Sequence, residues 1–431
     1  MDLLHIAFFG PTNSGKSALV NALAGQEVSL VSAVPGTTTD PVRKRIELPG
    51  LGPCVLIDTA GLGDATLLGP ERERRTRAIL DETDIAVLLC PAGSADFFAP
   101  GNAPATGSAD ASPAGKADAA EVLLTSLNSG RWEQNTPQNA PNVPKSGTLG
   151  ALPPVIRVFP KADLGGPVPP GLLPVSALTG KGIPALLERL ATLRPEESPY
   201  LTGSLVKPGD CVLLVMPQDS EAPKGRLILP QVQVLRELLD RGCTPLCCTP
   251  DSLQSALSRT NPDLVITDSQ VFAAVNAAIP ADVPLTSFSV LLAGAKGDLG
   301  VFAEGARAID TLKPGNRVLI AEACTHVPDT EDIGRVKIPA LLRKKMADQV
   351  GHDGTVTPGL TGSLTIDIAA GNDFPEDLSP YALIIHCGAC VATATLVRSR
   401  IRKALLAGVP ITNYGIALAK LQGILDRIVL P

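Results

Sequence analysis

Two short stretches near opposite ends of this 431-residue chain carry side chains suited to chemistry. The first, GPTNSGKS at residues 10–17, fits G-x-x-x-x-G-K-S and stands between the apolar run LLHIAFF and the helix-forming run ALVNALA. Glycines in such a loop let main-chain N–H groups close around phosphates, so Gly10, Asn13, Ser14, Gly15 and Ala18 read as a phosphate cradle. Lys16 can reach the terminal phosphates, and Ser17 can give its hydroxyl to Mg2+ at a helix N-terminus. Further on, LIDTAG supplies Asp58, which can hold Mg2+ through water, and Gly61, whose amide can sense a γ-phosphate. Thr38 in GTTTD is placed to close over the metal; taken alone a threonine there is more often a plain loop residue, but it lies in the right interval. Lys16, Thr38, Asp58 and Gly61 are the catalytic candidates for cleaving a nucleoside triphosphate.

The base would be read by FPKADL and VSAL. Asp163 can accept from guanine N1–H and the 2-amino group, Lys161 can cover the ring, and Ser176 with Ala177 forms the last guanine loop. Pro160 occupies the place of the usual Asn or Thr and offers no amide to guanine N7, which predicts GTP over ATP at weakened affinity. Leu62 follows DTAG, where Ras-like proteins carry a water-positioning glutamine, so slow hydrolysis is expected.

The second stretch is YALIIHCGAC, residues 381–390. Six of the nine cysteines (Cys54, Cys90, Cys211, Cys243, Cys247 and Cys248) sit in apolar surroundings and read as small core residues. Cys324, Cys387 and Cys390 differ, because two of the four histidines, His326 and His386, flank them in EACTH and HCGAC. Both groups end apolar strand-like runs, and loops at strand carboxyl ends of a parallel sheet can meet at one site. Cys390 is expected to open a helix starting near Val391, whose N-terminus would favour a thiolate. The residues alone leave four readings: a redox dithiol, a Cys3His zinc site, inert buried cysteines, or an iron–sulfur cluster on three thiolates.

Alternating strand and helix patterns predict an α/β protein of three domains. Residues 1–195 read as a P-loop domain with a Ras-like doubly wound sheet, interrupted at 97–151 by a Pro/Gly/Ala/Ser-rich insertion. Residues 204–290 and 291–431 read as two further α/β domains. The expected strands of the second include PLTSFSVLL, and the helices of the third fall near 333–349, 391–407 and 415–428. A net charge of −6 without a dense Lys/Arg run argues against a nucleic-acid partner. No run of about 18 apolar residues is present to suggest a membrane helix. A chain that enters a strand at once leaves no room for a signal peptide, so the expected location is cytoplasmic.

Asn13 in the phosphate loop and GTT-x-D after it resemble the TrmE-like branch of translation-factor-related GTPases. In that branch the Asn and the following loop hold a K+ that substitutes for an arginine finger. The pattern C-x-H…H-C-x-x-C behind such a domain resembles the [FeFe]-hydrogenase maturation GTPases, the HydF family. So do LVKPGD, APKGRLILPQVQ, LTSFS, KGDL, DFPEDLSPY, GVPITNYG and LQG, which spread the likeness over nearly the whole chain. Only the insertion and PKAD depart from it.

The resemblance implies GTP, Mg2+ and K+ at the first site, and a [4Fe-4S] cluster on Cys324, Cys387 and Cys390 at the second, with His326 and His386 matching the motif. It further implies a homodimer or higher oligomer joined through the middle domain. The cargo would be a transient diiron precursor, received from two radical-SAM maturases and delivered to apo-hydrogenase under a GTP switch. Two other readings compete. A tRNA-modifying GTPase is disfavoured by the acidic charge and by a DRIVLP terminus without that family's cysteine motif. A zinc-stabilised assembly GTPase would be colourless.

Overall fold

The computed structural model describes residues 3–25, 41–61, 78–92, 153–194, 200–218, 227–323, 332–350 and 364–431, with side chains left aside at 348–350. Thr38, Leu62, Cys324, His326 and the 97–151 insertion lie outside the described residues, as does most of the helix expected around 70–82. The chain divides into two compact units that meet in sequence at residues 196 and 197.

The first unit is built on strands β1 (Leu4–Phe9), β2 (Val42–Leu48), β3 (Gly52–Asp58), β4 (Ile85–Leu89), β5 (Val155–Phe159) and β6 (Leu173–Pro174). They form one sheet in the order β2-β3-β1-β4-β5-β6, antiparallel only between β2 and β3. Successive strand side chains alternate between faces, so Ile6 and Phe8 enter one apolar cluster while Ala7 and Phe9 enter another. That two-sided burial explains why β4 reads as an unbroken apolar run and β1 as one interrupted only by His5. Edge strand β2 instead carries Arg43, Lys44 and Arg45, charges that discourage pairing with another chain. The phosphate loop joins β1 to helix Lys16–Ala24, as expected.

The second unit holds two parallel four-stranded sheets. One comprises β7 (Cys211–Val215), β8 (Thr244–Cys248), β9 (Leu264–Thr267) and β10 (Leu285–Ser287) in the order β10-β9-β7-β8. The other comprises β11 (Arg317–Glu322), β12 (Thr365–Ala370), β13 (Leu383–His386) and β14 (Ile411–Asn413) in the order β12-β11-β13-β14. Numbered within each sheet, both orders are 2-1-3-4. The sequences agree with this: KPGDCVLL enters β7 and KPGNRVLI enters β11, while VPLTSF spans β10 and VPITNY spans β14. Even a defect is shared, since Thr286 and Thr412, at matching positions, each bury a hydroxyl without a partner. The second sheet is thus a structural repeat of the first.

Several sequence expectations need correction. PLTSFSVLL is not one strand: β10 stops at Ser287, whose hydroxyl accepts from Val290 N at 3.2 Å and caps helix Phe288–Lys296. This helix runs through residue 290. A helix at Leu299–Arg307, capped by Asp298, was not anticipated. Cys247 is exposed on β8, and Cys211 and Cys248 are only partly buried, so half of the six presumed core cysteines stand at the sheet's margin. The helix after Cys390 begins at Ala394, with Thr393 as its cap, three residues later than the expected start near Val391. Cys390 therefore lies in the preceding turn and not in the first turn of the helix.

Candidate nucleotide site and candidate cluster site

At the carboxyl end of β1, the phosphate loop takes up backbone angles that its sequence anticipates. Gly10 has φ 152°, and a Cβ there would come within 2.8 Å of Leu89 O. Asn13 and Gly15 have φ 60° and 97°, left-handed angles of the kind that let main-chain amides form an anion-binding concavity. Lys16 is nearly buried, and its ammonium donates to Gly10 O at 3.0 Å and Pro11 O at 2.9 Å. Burial lowers its pKa to about 8, partly offset by Asp58. Burial also raises the Asp58 carboxyl, while a bond from Ser17 and the charges of Lys16 and Lys44 act the other way. Asp58 Oδ1 and Ser14 Oγ are buried without partners. An acceptor oxygen beside Ser17 and a folded-over lysine make a donor set that fits Mg2+ and phosphate.

Gly61 packs directly on the phosphate loop. A Cβ at this residue would fall 2.2 Å from Thr12 Oγ1, 2.8 Å from its Cα and 2.9 Å from its N. Two guanine-loop segments also meet, because Ala162 N donates to Val175 O at 3.2 Å. Lys161 adopts φ 57° and is exposed, as is Asp163. Ser176 is fully buried, its hydroxyl accepting from Thr179 N at 3.1 Å, with Ala177 beside it.

In the second unit, β11 and β13 are neighbours, with Ala321 paired to His386. Their carboxyl ends converge: Ala323 N donates to Cys387 Sγ at 3.1 Å, and Ala389 N donates to the same sulfur at 3.4 Å. Cys324 follows Ala323 directly in the chain. The end of β11 is thus brought to the Cys387 loop, and a thiolate bonded by main-chain amides suits a metal–sulfur site. Ala389 is held at φ 51°, a conformation uncommon for a residue with a Cβ. The buried Lys296 ammonium steadies this turn, donating to Ala389 O at 2.9 Å, Cys390 O at 3.4 Å and Ala392 O at 2.8 Å.

His386 is buried behind this turn. Arg400 Nη1 lies 3.1 Å from His386 Nε2, and Cys387 O lies 2.8 Å from Nδ1. Arginine can only donate, so Nε2 accepts and Nδ1–H donates to the carbonyl. Burial, reinforced by the Arg400 charge, lowers the ring's pKa to about 3 and keeps it neutral. With both ring nitrogens engaged, by Cys387 O and Arg400, His386 braces the loop. Arg400, itself buried, also bonds Glu322 O at 3.1 Å and Gly371 O at 2.5 Å, and lies over Phe374. Glu322, at the end of β11, is held by Arg335 through Nε at 3.3 Å and Nη2 at 2.8 Å. Sequence reasoning missed Lys296, Glu322, Arg335 and Arg400. The one available signal was a carboxylate closing the apolar run RVLIAEA.

The first unit's sheet order and phosphate loop define a P-loop GTPase, here joined to two repeated α/β sheets. Residues 5–103 match a family described as 50S ribosome-binding GTPase. Residues 201–297 match the hydrogen maturase F dimerization domain, and residues 300–431 match the hydrogen maturase F tetramerization domain. These two matches together span more than half of the chain, which belongs to the hydrogen maturase F family.

Among curated proteins, the chain is 36% identical over 188 residues to the tRNA modification GTPase MnmE of Acidiphilium cryptum, covering 43% of the chain and 32% of that protein. It is 30% identical over 233 residues to MnmE of Parvibaculum lavamentivorans, covering 52% of the chain and 42% of that protein. The chain thus spans well under half the length of either relative. A crystal structure of Aquifex aeolicus Era bound to GDP and AlF4− superposes with a TM-score of 0.30 at 19% identity, covering 58% of this chain and 93% of that one. Among the described residues, no helix is long and apolar enough to cross a membrane.

Proposed function

We propose that the chain is a hydrogenase maturation GTPase that carries iron–sulfur cargo under nucleotide control. In this reading a [4Fe-4S] cluster is held by Cys324, Cys387 and Cys390 at the ends of β11 and β13. A diiron precursor is the transient cargo, taken from two radical-SAM maturases and passed to apo-[FeFe]-hydrogenase by a dimer or higher oligomer. The observation that carries the reading is the bond from Ala323 N to Cys387 Sγ, which seats the residue before Cys324 against a second cysteine. The donor chemistry fits: soft thiolates, two N–H groups on one sulfur, and a neighbouring lysine that offsets negative charge. Bound there, the cluster would supply an anionic iron–sulfur anchor for the cargo. GTP and Mg2+ would order the loops around Thr38 and Gly61, and that ordering would bias partner binding.

Anaerobic reconstitution tests this. A broad band near roughly 400 nm and an EPR signal on reduction are expected of an iron–sulfur protein. Tight binding of colourless zinc with no such signals would overturn the reading. The likeness to MnmE raises tRNA modification as the competitor, but the stretch from residue 201 onward matches hydrogen maturase F domains.

Asn13, exposed in the phosphate loop with a left-handed φ of 60°, is proposed to hold K+ beside the phosphates. Asn13→Ala is expected to abolish K+ stimulation of GTP hydrolysis while leaving the cluster in place. Equal parental rates in Na+ and K+ would remove the cation from the mechanism.

A further inference from the structure

Helix Phe288–Lys296 follows β10 of the first sheet, yet it packs on the second, against helices Ala394–Leu406 and Tyr414–Leu421. A glycine permits the close approach: a Cβ at Gly415 would come within 3.0 Å of Ser289, whose Oγ donates to Asn413 Oδ1 at 3.4 Å. The exchange is reciprocal. Helix Tyr414–Leu421, which follows β14 of the second sheet, packs on Ser269–Val271 in the turn after β9. The two helices also correspond in sequence. VPLTSFSVLLAGAKG (Val283–Gly297) and VPITNYGIALAKLQG (Val409–Gly423) align without a gap, which sets Lys296 opposite Gln422.

The turns that receive these helices differ in backbone. Lys296 is buried, and its ammonium donates to Ala389 O at 2.9 Å, Cys390 O at 3.4 Å and Ala392 O at 2.8 Å. An ammonium carries three donors and no acceptor, so it suits a turn whose carbonyls converge. In that turn Ala389 is left-handed at φ 51°, which disfavours any residue with a Cβ other than Asn or Asp. The conformation is useful: Ala389 N donates to Cys387 Sγ at 3.4 Å, and Ala392 N donates back to Ala389 O at 3.2 Å. The counterpart turn after β9 opens with Asp268 at φ −74°, and none of residues 268–272 is left-handed. The lysine and the left-handed alanine thus occur together, while the glutamine belongs to the helix that meets an ordinary turn.

We propose that Lys296 is a positioning residue that shapes the cysteine turn from the neighbouring sheet, holding Ala389 in the left-handed conformation that returns its amide to Cys387. The match to the dimerization domain ends at residue 297, so the turn carrying Cys387 and Cys390 is set by a side chain from that domain. A displacement of helix Phe288–Lys296 is passed directly to the two cysteines. Nothing in this arrangement requires a bound cluster, so its failure and that of the cluster reading are separate.

The test uses the full chain and hydrogen–deuterium exchange read by mass spectrometry. Exchange across residues 387–393 is compared with exchange across β13, which reports the stability of the sheet itself. Lys296→Met is expected to speed exchange in the turn about tenfold while β13 stays near parental, because three carbonyls lose a charged donor. Glycine has no penalty at φ 51°, so Ala389→Gly added to Lys296→Met should return the turn most of the way to the parental rate. Lys296→Gln, which installs the residue of the other repeat, provides the same reading should the methionine variant fail to fold. Parental exchange in the turn of the Lys296 variant would overturn the proposal. So would equal acceleration in β13, which marks mere support of the fold, or a defect that glycine at residue 389 leaves unchanged.

Discussion

Cys387→Ala is expected to reduce bound iron and sulfide to background while GTP hydrolysis proceeds at the parental rate. Cys387 ties the end of β11 to its own turn, accepting from Ala323 N at 3.1 Å and Ala389 N at 3.4 Å. Alanine removes a proposed ligand and leaves both amides without their acceptor, so binding loses a metal–sulfur bond and its local scaffold together. The nucleotide site belongs to the other compact unit, which gives no structural reason for its chemistry to fail. Cys247→Ala is the matched control, because Cys247 is exposed on β8 in the sheet without the cysteine loop. The measurement is iron and sulfide content with the visible spectrum, alongside phosphate release. Full cluster content in Cys387→Ala would remove it from the ligand set.

Gly61→Ala is expected to lower the rate of GTP hydrolysis by a factor of about 100 or more, the usual cost of losing one positioned donor at the reacting phosphate. The methyl group would meet Thr12 Oγ1 at 2.2 Å, and the Thr12 Cα and N at 2.8 and 2.9 Å. The side-chain clash could be relieved by moving Thr12, but the main-chain contacts could not. The Gly61 amide must then swing away from the phosphate loop. Thr12→Ala combined with Gly61→Ala should therefore fail to restore activity, whereas Thr12→Ala alone should be tolerated. Single-turnover hydrolysis, with cluster content as the control for folding, reads the effect. A Gly61→Ala rate within a few-fold of the parent would show that this amide is not engaged.

How far each feature could be read from the sequence depended on how local its physics is. The order of strands and helices in the first unit followed from apolar runs and from GPTNSGKS, where glycines fix the backbone by themselves. Helix starts were less legible. Phe288 and Ala394 are placed by the capping hydroxyls of Ser287 and Thr393, and VLL after LTSFS reads equally as strand or helix by periodicity. The repeat was present in the sequence as KPGDCVLL and KPGNRVLI, but only the matching sheet orders gave it meaning.

The sequence by itself determined the phosphate loop, Asp58 and Gly61 after β3, and a cysteine–histidine pattern at two strand ends. Each is a property of a short segment, where residue type and backbone preference decide the outcome. The tertiary structure decided what surrounds them. It joined Ala323 to Cys387 across 64 residues, turned His386 toward Arg400, and brought Lys296 from 93 residues away onto the carbonyl of Ala389. It also left the Tyr414 hydroxyl buried against Gly334 without a partner. No local preference encodes such contacts, because they arise only when two sheets bury their faces and oblige every enclosed polar group to find what it can.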